Sequence, residues 1–220
     1  MVDDTTPWFV PIARAVPAVA LAAVITFSAD HSATLGLVTF GVYALASGAV
    51  VLVAALRAAP AGVQRGLLVG QGGLGIVAGG ASLAVPGAGL PFLVFLITAW
   101  AILTGFLELY AGLRGRRAAA RVPIPAAPAP AGRAPSFDRD RVFLGAFTVL
   151  LAIAVLLVPP GFVQSFTGPD GVVRALTASI VVVGLLGAYW AIAGIYLVIA
   201  GLSLKWGTET RPLSTAKGQA

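Results

Sequence analysis

Apolar residues in this chain fall into six runs, at residues 12–29, 34–56, 66–85, 91–113, 142–158 and 175–204. Each is near the ~20 residues that carry a helix across a hydrocarbon core. Between Arg65 and Glu108 no residue is charged, and a turn-like VPGAG at 85–89 splits that interval into two pieces of spanning length. The pattern predicts an all-α integral membrane protein with six transmembrane helices.

Composition agrees: 59% of residues are hydrophobic and 10% charged, against about 25% charged in soluble domains. The net charge of +6 suggests nucleic acid at first sight. The basic residues, however, lie in the connections between apolar runs, where membrane topology accounts for them, so no nucleic-acid partner is expected. The chain has no Cys, which excludes disulfides, thiolate catalysis and thiolate metal sites.

Arg57 and Arg65 flank the second connection, seven arginines from Arg114 to Arg141 fill the fourth and its flanks, and Lys205, Arg211 and Lys217 follow the last run. The alternate connections hold Asp30 with His31, then no charge, then Asp170 with Arg174. This bias predicts both termini in the cytoplasm. Asp3 and Asp4 oppose the basic start of a signal peptide, so the first run reads as a retained span. The chain divides into two membrane hairpins (1–116), a Pro/Ala-rich cytoplasmic linker (117–141), a third hairpin (142–205) and a tail (206–220). The linker is expected to be extended and to rest against an anionic leaflet.

Setting YALASGAVVLVAALR (43–57), WAILTGFLELYAGLR (100–114) and YWAIAGIYLVIAGLS (189–203) in register aligns Gly48, Gly105 and Gly194, and with them Tyr43, Trp100 and Tyr189. Small residues recur every seven positions: Gly41, Gly48 and Ala55; Thr98, Gly105 and Gly112; Gly187, Gly194 and Gly201. Seven residues are nearly two helical turns, so each trio forms one stripe along a helix, where backbones can approach closely. Gly66, Gly70, Gly75 and Gly79 mark the third helix in the same way, and Gln71 within it requires an internal partner. The chain therefore reads as three tandem two-helix hairpins about an approximate threefold axis.

The stretch AWAILTGFLELYAGLRGRR, preceded by GIVAGGASLAVPGAGLPFLVFLITAW, resembles the HdeD-like family of small bacterial membrane proteins. The matching positions are Pro86, Trp100, Gly105 and Glu108. The likeness covers roughly residues 35–115, and 142–204 more loosely. It implies six helices in the bacterial inner membrane, an association with acid resistance and no enzymatic activity. The proline-rich linker and the outer segment PPGFVQSFTGPDGVVR depart from the family pattern.

Glu108 shares the face of the small-residue stripe, which turns it toward protein. It lies about 9 Å inside the end of its helix. Two readings follow: structural pairing with Arg57 or Arg65, or proton or cation handling. His31 is either a pH sensor or an ordinary loop residue, histidine being the side chain that changes charge nearest neutral pH. The mid-helix aromatics Tyr43, Trp100 and Tyr189 read as packing residues, and Trp8 and Trp206 as interfacial anchors. No nucleotide loop, nucleophile–base set or metal cluster is present in the sequence, so no cofactor and no enzyme is expected. The expected function is that of a non-enzymatic HdeD-like protein in stress tolerance or in a membrane assembly, with the bilayer and a second copy or another membrane protein as partners. The alternative is a small transporter or channel using Glu108.

Overall fold

The computed structural model describes residues 8–57, 62–120 and 135–209. Expectations for the central linker at 121–134 and for the tail at 210–220 lie outside the described residues. In chain order the elements are α1 (Phe9–Phe27), α2 (Ala33–Arg57), α3 (Val63–Ala84), α4 (Gly89–Ala120), α5 (Pro135–Leu156), β1 (Val163–Thr167), β2 (Val173–Thr177) and α6 (Ala178–Glu209).

Among the described residues five helices, α1 to α4 and α6, are long and apolar enough to cross a bilayer. The chain is a multi-pass helical membrane protein. The sixth expected span, α5, does not meet the same measure, because Asp138, Arg139, Asp140 and Arg141 occupy its first turns. α4 runs on to Ala120, and α5 begins at Pro135, a residue suited to a first helical turn because its missing N–H is not needed there.

The segment between α5 and α6 holds a structure that the apolar runs do not announce, an antiparallel hairpin with Val163 opposite Thr177 and Thr167 opposite Val173. Its turn closes at Gly171, whose φ of +74° favours glycine. Asp170 and Arg174 brace it with two charge-assisted bonds of 2.9 and 2.6 Å. Three residues of the last expected run, Ala175 to Thr177, are thus strand rather than helix.

The tightest helix contacts run between the expected hairpins rather than within them, as α2 on α3, α4 on α5 and α6 on α1. Glycine makes each possible. A Cβ on Gly48 would stand 2.8 Å from the Gly72 carbonyl oxygen, and one on Gly105 would stand 2.9 Å from that of Gly145. On Gly194 it would meet Val19 Cγ2 at 2.7 Å. Gly41 abuts α3, Gly112 abuts α5, and Gly187 and Gly201 abut α1. The glycines of α3 divide: Gly72, Gly75 and Gly79 press on α2, whereas Gly66 and Gly70 face open space.

Gly48→Val is expected to destabilise the bundle by about 1–3 kcal/mol through overpacking, whereas Gly70→Ala should be neutral or stabilising by up to ~1 kcal/mol. Unfolding of each variant in detergent micelles checks the contrast. In the hairpin, hydrogen bonding to Arg174 holds the Asp170 carboxyl below its ordinary range. A depressed carboxyl stabilises fully above its unfolded value of about 3.9 and loses that contribution as pH falls through the lower folded value. Amide protection of residues 163–177 should drop in that acid window, and Asp170→Asn should remove the dependence.

Candidate functional site

Glu108 is 5% exposed, so its charge is inside protein. Its Oε1 accepts from Arg14 Nη2 at 3.0 Å and from Gln71 Nε2 at 2.7 Å. Arg14 also donates from Nε to Ser47 Oγ at 3.2 Å. One carboxylate thereby ties α4 to α1 and α3, and its cation adds α2. A charge in the apolar interior is costly unless paired and hydrogen bonded, and here both conditions hold.

The partner differs from the expected Arg57 or Arg65. Arg57 is the last residue of α2 and Arg65 lies in the first turn of α3, both nearer the helix ends than the acid. Arg14 stands within α1, where the packing of α6 on α1 and the contact of α1 with α2 turn it inward. A lone cation in the first apolar run was a visible signal for an intramembrane acid elsewhere.

Other polar groups converge around this pair. The phenols of Tyr43 and Tyr189 lie within electrostatic reach of Arg14, and the Tyr189 hydroxyl is 2.8 Å from Thr148 Oγ1. Arg141 on α5 feels both Glu108 and Arg14. Tyr196 donates to Asp140 at 2.6 Å. Sequence reasoning missed Arg14, Ser47, Thr148, Asp140, Arg141 and Tyr196. Serine, threonine and tyrosine inside apolar runs carry no signal until packing shows which face they share.

A cavity of about 50 Å³ lies against the cluster, with Arg14, Gln71, Glu108, Asp140, Arg141 and Tyr196 as its polar lining and aliphatic side chains elsewhere. That is room for about four waters. A smaller void of about 10 Å³ adjoins Arg14, Ser47, Trp100 and Thr104. Next to it the interior is filled. Phe40 and Tyr43 meet Trp100 edge-on at 5.6 and 5.8 Å, and Tyr43 lies 5.0 Å from Trp190. Leu37, Leu93, Ile97 and Leu186 are fully buried around these rings. Tyr43, Trp100 and Tyr189 are thus core residues, Tyr189 stacking on Phe147 at 5.3 Å.

His31 lies half-buried in the connection before α2. Its neighbour Asp30 accepts from the Ser32 amide at 2.9 Å and from its hydroxyl at 2.8 Å, and Ser32 caps that helix by accepting from the Leu35 amide at 3.2 Å. Trp8 and Trp206 are exposed at the helix ends.

Arg14→Met should cost about 3–5 kcal/mol because it leaves a buried carboxylate without its cation. Adding Glu108→Gln to that variant should recover much of the loss. A double-mutant cycle by unfolding in micelles tests the coupling, and additive effects would contradict it. No protein-family description, curated protein or solved structure matches the chain.

Proposed function

We propose that the chain is a non-enzymatic, HdeD-like protein of the bacterial inner membrane, acting in acid-stress tolerance or as a partner within a membrane assembly, with both termini cytoplasmic. The observation that carries its non-conducting character is the filled aromatic layer formed by Phe40, Tyr43, Trp100 and Trp190 beside the polar cluster. A conduction path needs a succession of inward polar groups. The core there is built mainly of Leu37, Phe40, Tyr43, Leu93, Leu96, Ile97 and Trp100, and the buried hydroxyls of Thr39 and Ser82 beside them are spent on the backbone carbonyls of Leu35 and Leu37. The Arg14–Glu108 pair is then a structural junction.

The proposal includes six spans with threefold pseudosymmetry. It is supported by repeated atomic contacts: Cβ atoms on Gly48, Gly105 and Gly194 would meet the backbone nitrogens of Ile76, Val149 and Val19 at 3.0, 3.1 and 3.2 Å. Support comes also from the cavity wall. Val51, Glu108 and Leu197 share one register position, and all three line it. Arg14, Gln71 and Leu144 line it too, each five residues before the helix position that meets a register glycine.

A second reading, proton or cation handling by Glu108, is favoured by the room for water against its carboxylate. Proteoliposomes under a pH gradient separate the two. The proposal predicts no proton flux above that of empty vesicles, together with a stoichiometric protein partner after mild-detergent extraction. Flux that disappears in Glu108→Gln would overturn it in favour of the second reading.

A further inference from the structure

We infer that the cavity bounded by Arg14, Gln71, Glu108 and Arg141 is a binding site for a small aliphatic zwitterion, a molecule of about the size of valine that carries one ammonium and one carboxylate. The size comes from the cavity's volume of about 50 Å³. That holds about four waters, or ~120 Å³ of liquid. The chemical class follows from the lining. Two guanidiniums, Arg14 and Arg141, and two carboxylates, Glu108 and Asp140, face one cavity whose remaining wall is aliphatic apart from Gln71 and Tyr196.

This set is balanced in charge. A ligand with net charge would leave an uncompensated ion in an apolar interior, which is strongly disfavoured. An uncharged amphiphile would gain little here that the surrounding lipid does not already offer. A zwitterion brings one charge of each sign, leaves the cavity neutral and lays its aliphatic body on the apolar wall, the usual division of labour in small-molecule sites.

The lining has places for both ends. Both hydrogen bonds to Glu108 fall on Oε1, and Tyr196 engages Oδ1 of Asp140, so the ligand's ammonium is assigned to Glu108 Oε2 and Asp140 Oδ2. Its carboxylate is assigned to Arg141, whose guanidinium has five N–H donors and can add a ligand while keeping its present contact. All six helices contribute to the lining, so occupancy would brace the whole bundle.

The test uses the full chain in detergent micelles and equilibrium dialysis with radiolabelled L-valine. Isovalerate, isobutylamine and isobutanol serve as competitors lacking the ammonium, the carboxylate or both charges. Saturable valine binding is expected, with each competitor at least tenfold weaker. Ala54→Leu, which fills the cavity from α2, should abolish binding while the circular dichroism spectrum and elution volume stay unchanged. Arg141→Gln should weaken binding at least tenfold. Should Ala54→Leu fail to fold, Ala200→Leu fills the same cavity from α6, and the competitor ranking decides in any case. Absence of saturable binding, isobutanol competing as well as valine, or undiminished binding in a folded cavity-filled variant would each overturn the inference. None of these outcomes bears on the flux measurement that tests the proposed function.

Discussion

In a bilayer, helices gain little from hiding apolar surface against one another, so the contacts that hold a bundle are those where backbones come close enough for dense van der Waals packing and local polar bonds. That constraint governs this protein. Glycines on α2, α4 and α6 open room for α3, α5 and α1. The chain's first helix docks on its last, which turns a linear succession of helices into a closed arrangement and places Arg14 in the interior. The Arg14–Glu108 pair joins residues 94 apart in sequence and exists because that seam closes.

Packing also divides the interior into two parts. One carries Arg14, Ser47, Gln71 and Glu108, joined by hydrogen bonds, beside a cavity. The other has aromatic rings in edge-on and tilted contact among fully buried aliphatic side chains.

Much of this was legible in the sequence. Length and hydropathy located the apolar helices, the seven-residue spacing identified the glycines at the closest approaches, and the position of Glu108 among them implied that it faces protein. The neighbour of each stripe was not legible, because a small residue permits close approach without selecting who approaches. Only the fold shows that α2 pairs with α3, α4 with α5 and α6 with α1. The partner of Glu108 was missed for the same reason, Arg14 becoming its neighbour only through long-range closure. The apolar count overlooked the β-hairpin, whose Val, Phe and Thr residues are compatible with a span until the Gly-Pro-Asp-Gly turn is given weight. For α5, the first-turn charges that keep it below the apolarity of the other helices are the ones that put Asp140 and Arg141 at the cavity.

The closure of α6 on α1 is the claim on which the rest stands, and the cysteine-free chain permits a direct measurement. In a Val19→Cys, Gly194→Cys double variant, removal of the valine γ-carbons clears the atom nearest to the new β-carbon at 194, and the facing β-carbons fall within disulfide reach. Mild oxidation in native membranes should give a rapid intramolecular crosslink, seen as a mobility shift that reductant reverses. Failure of these two positions to crosslink, while a Gly48→Cys, Ile76→Cys pair across α2 and α3 does so readily, would show that the first and last helices are apart and contradict the account.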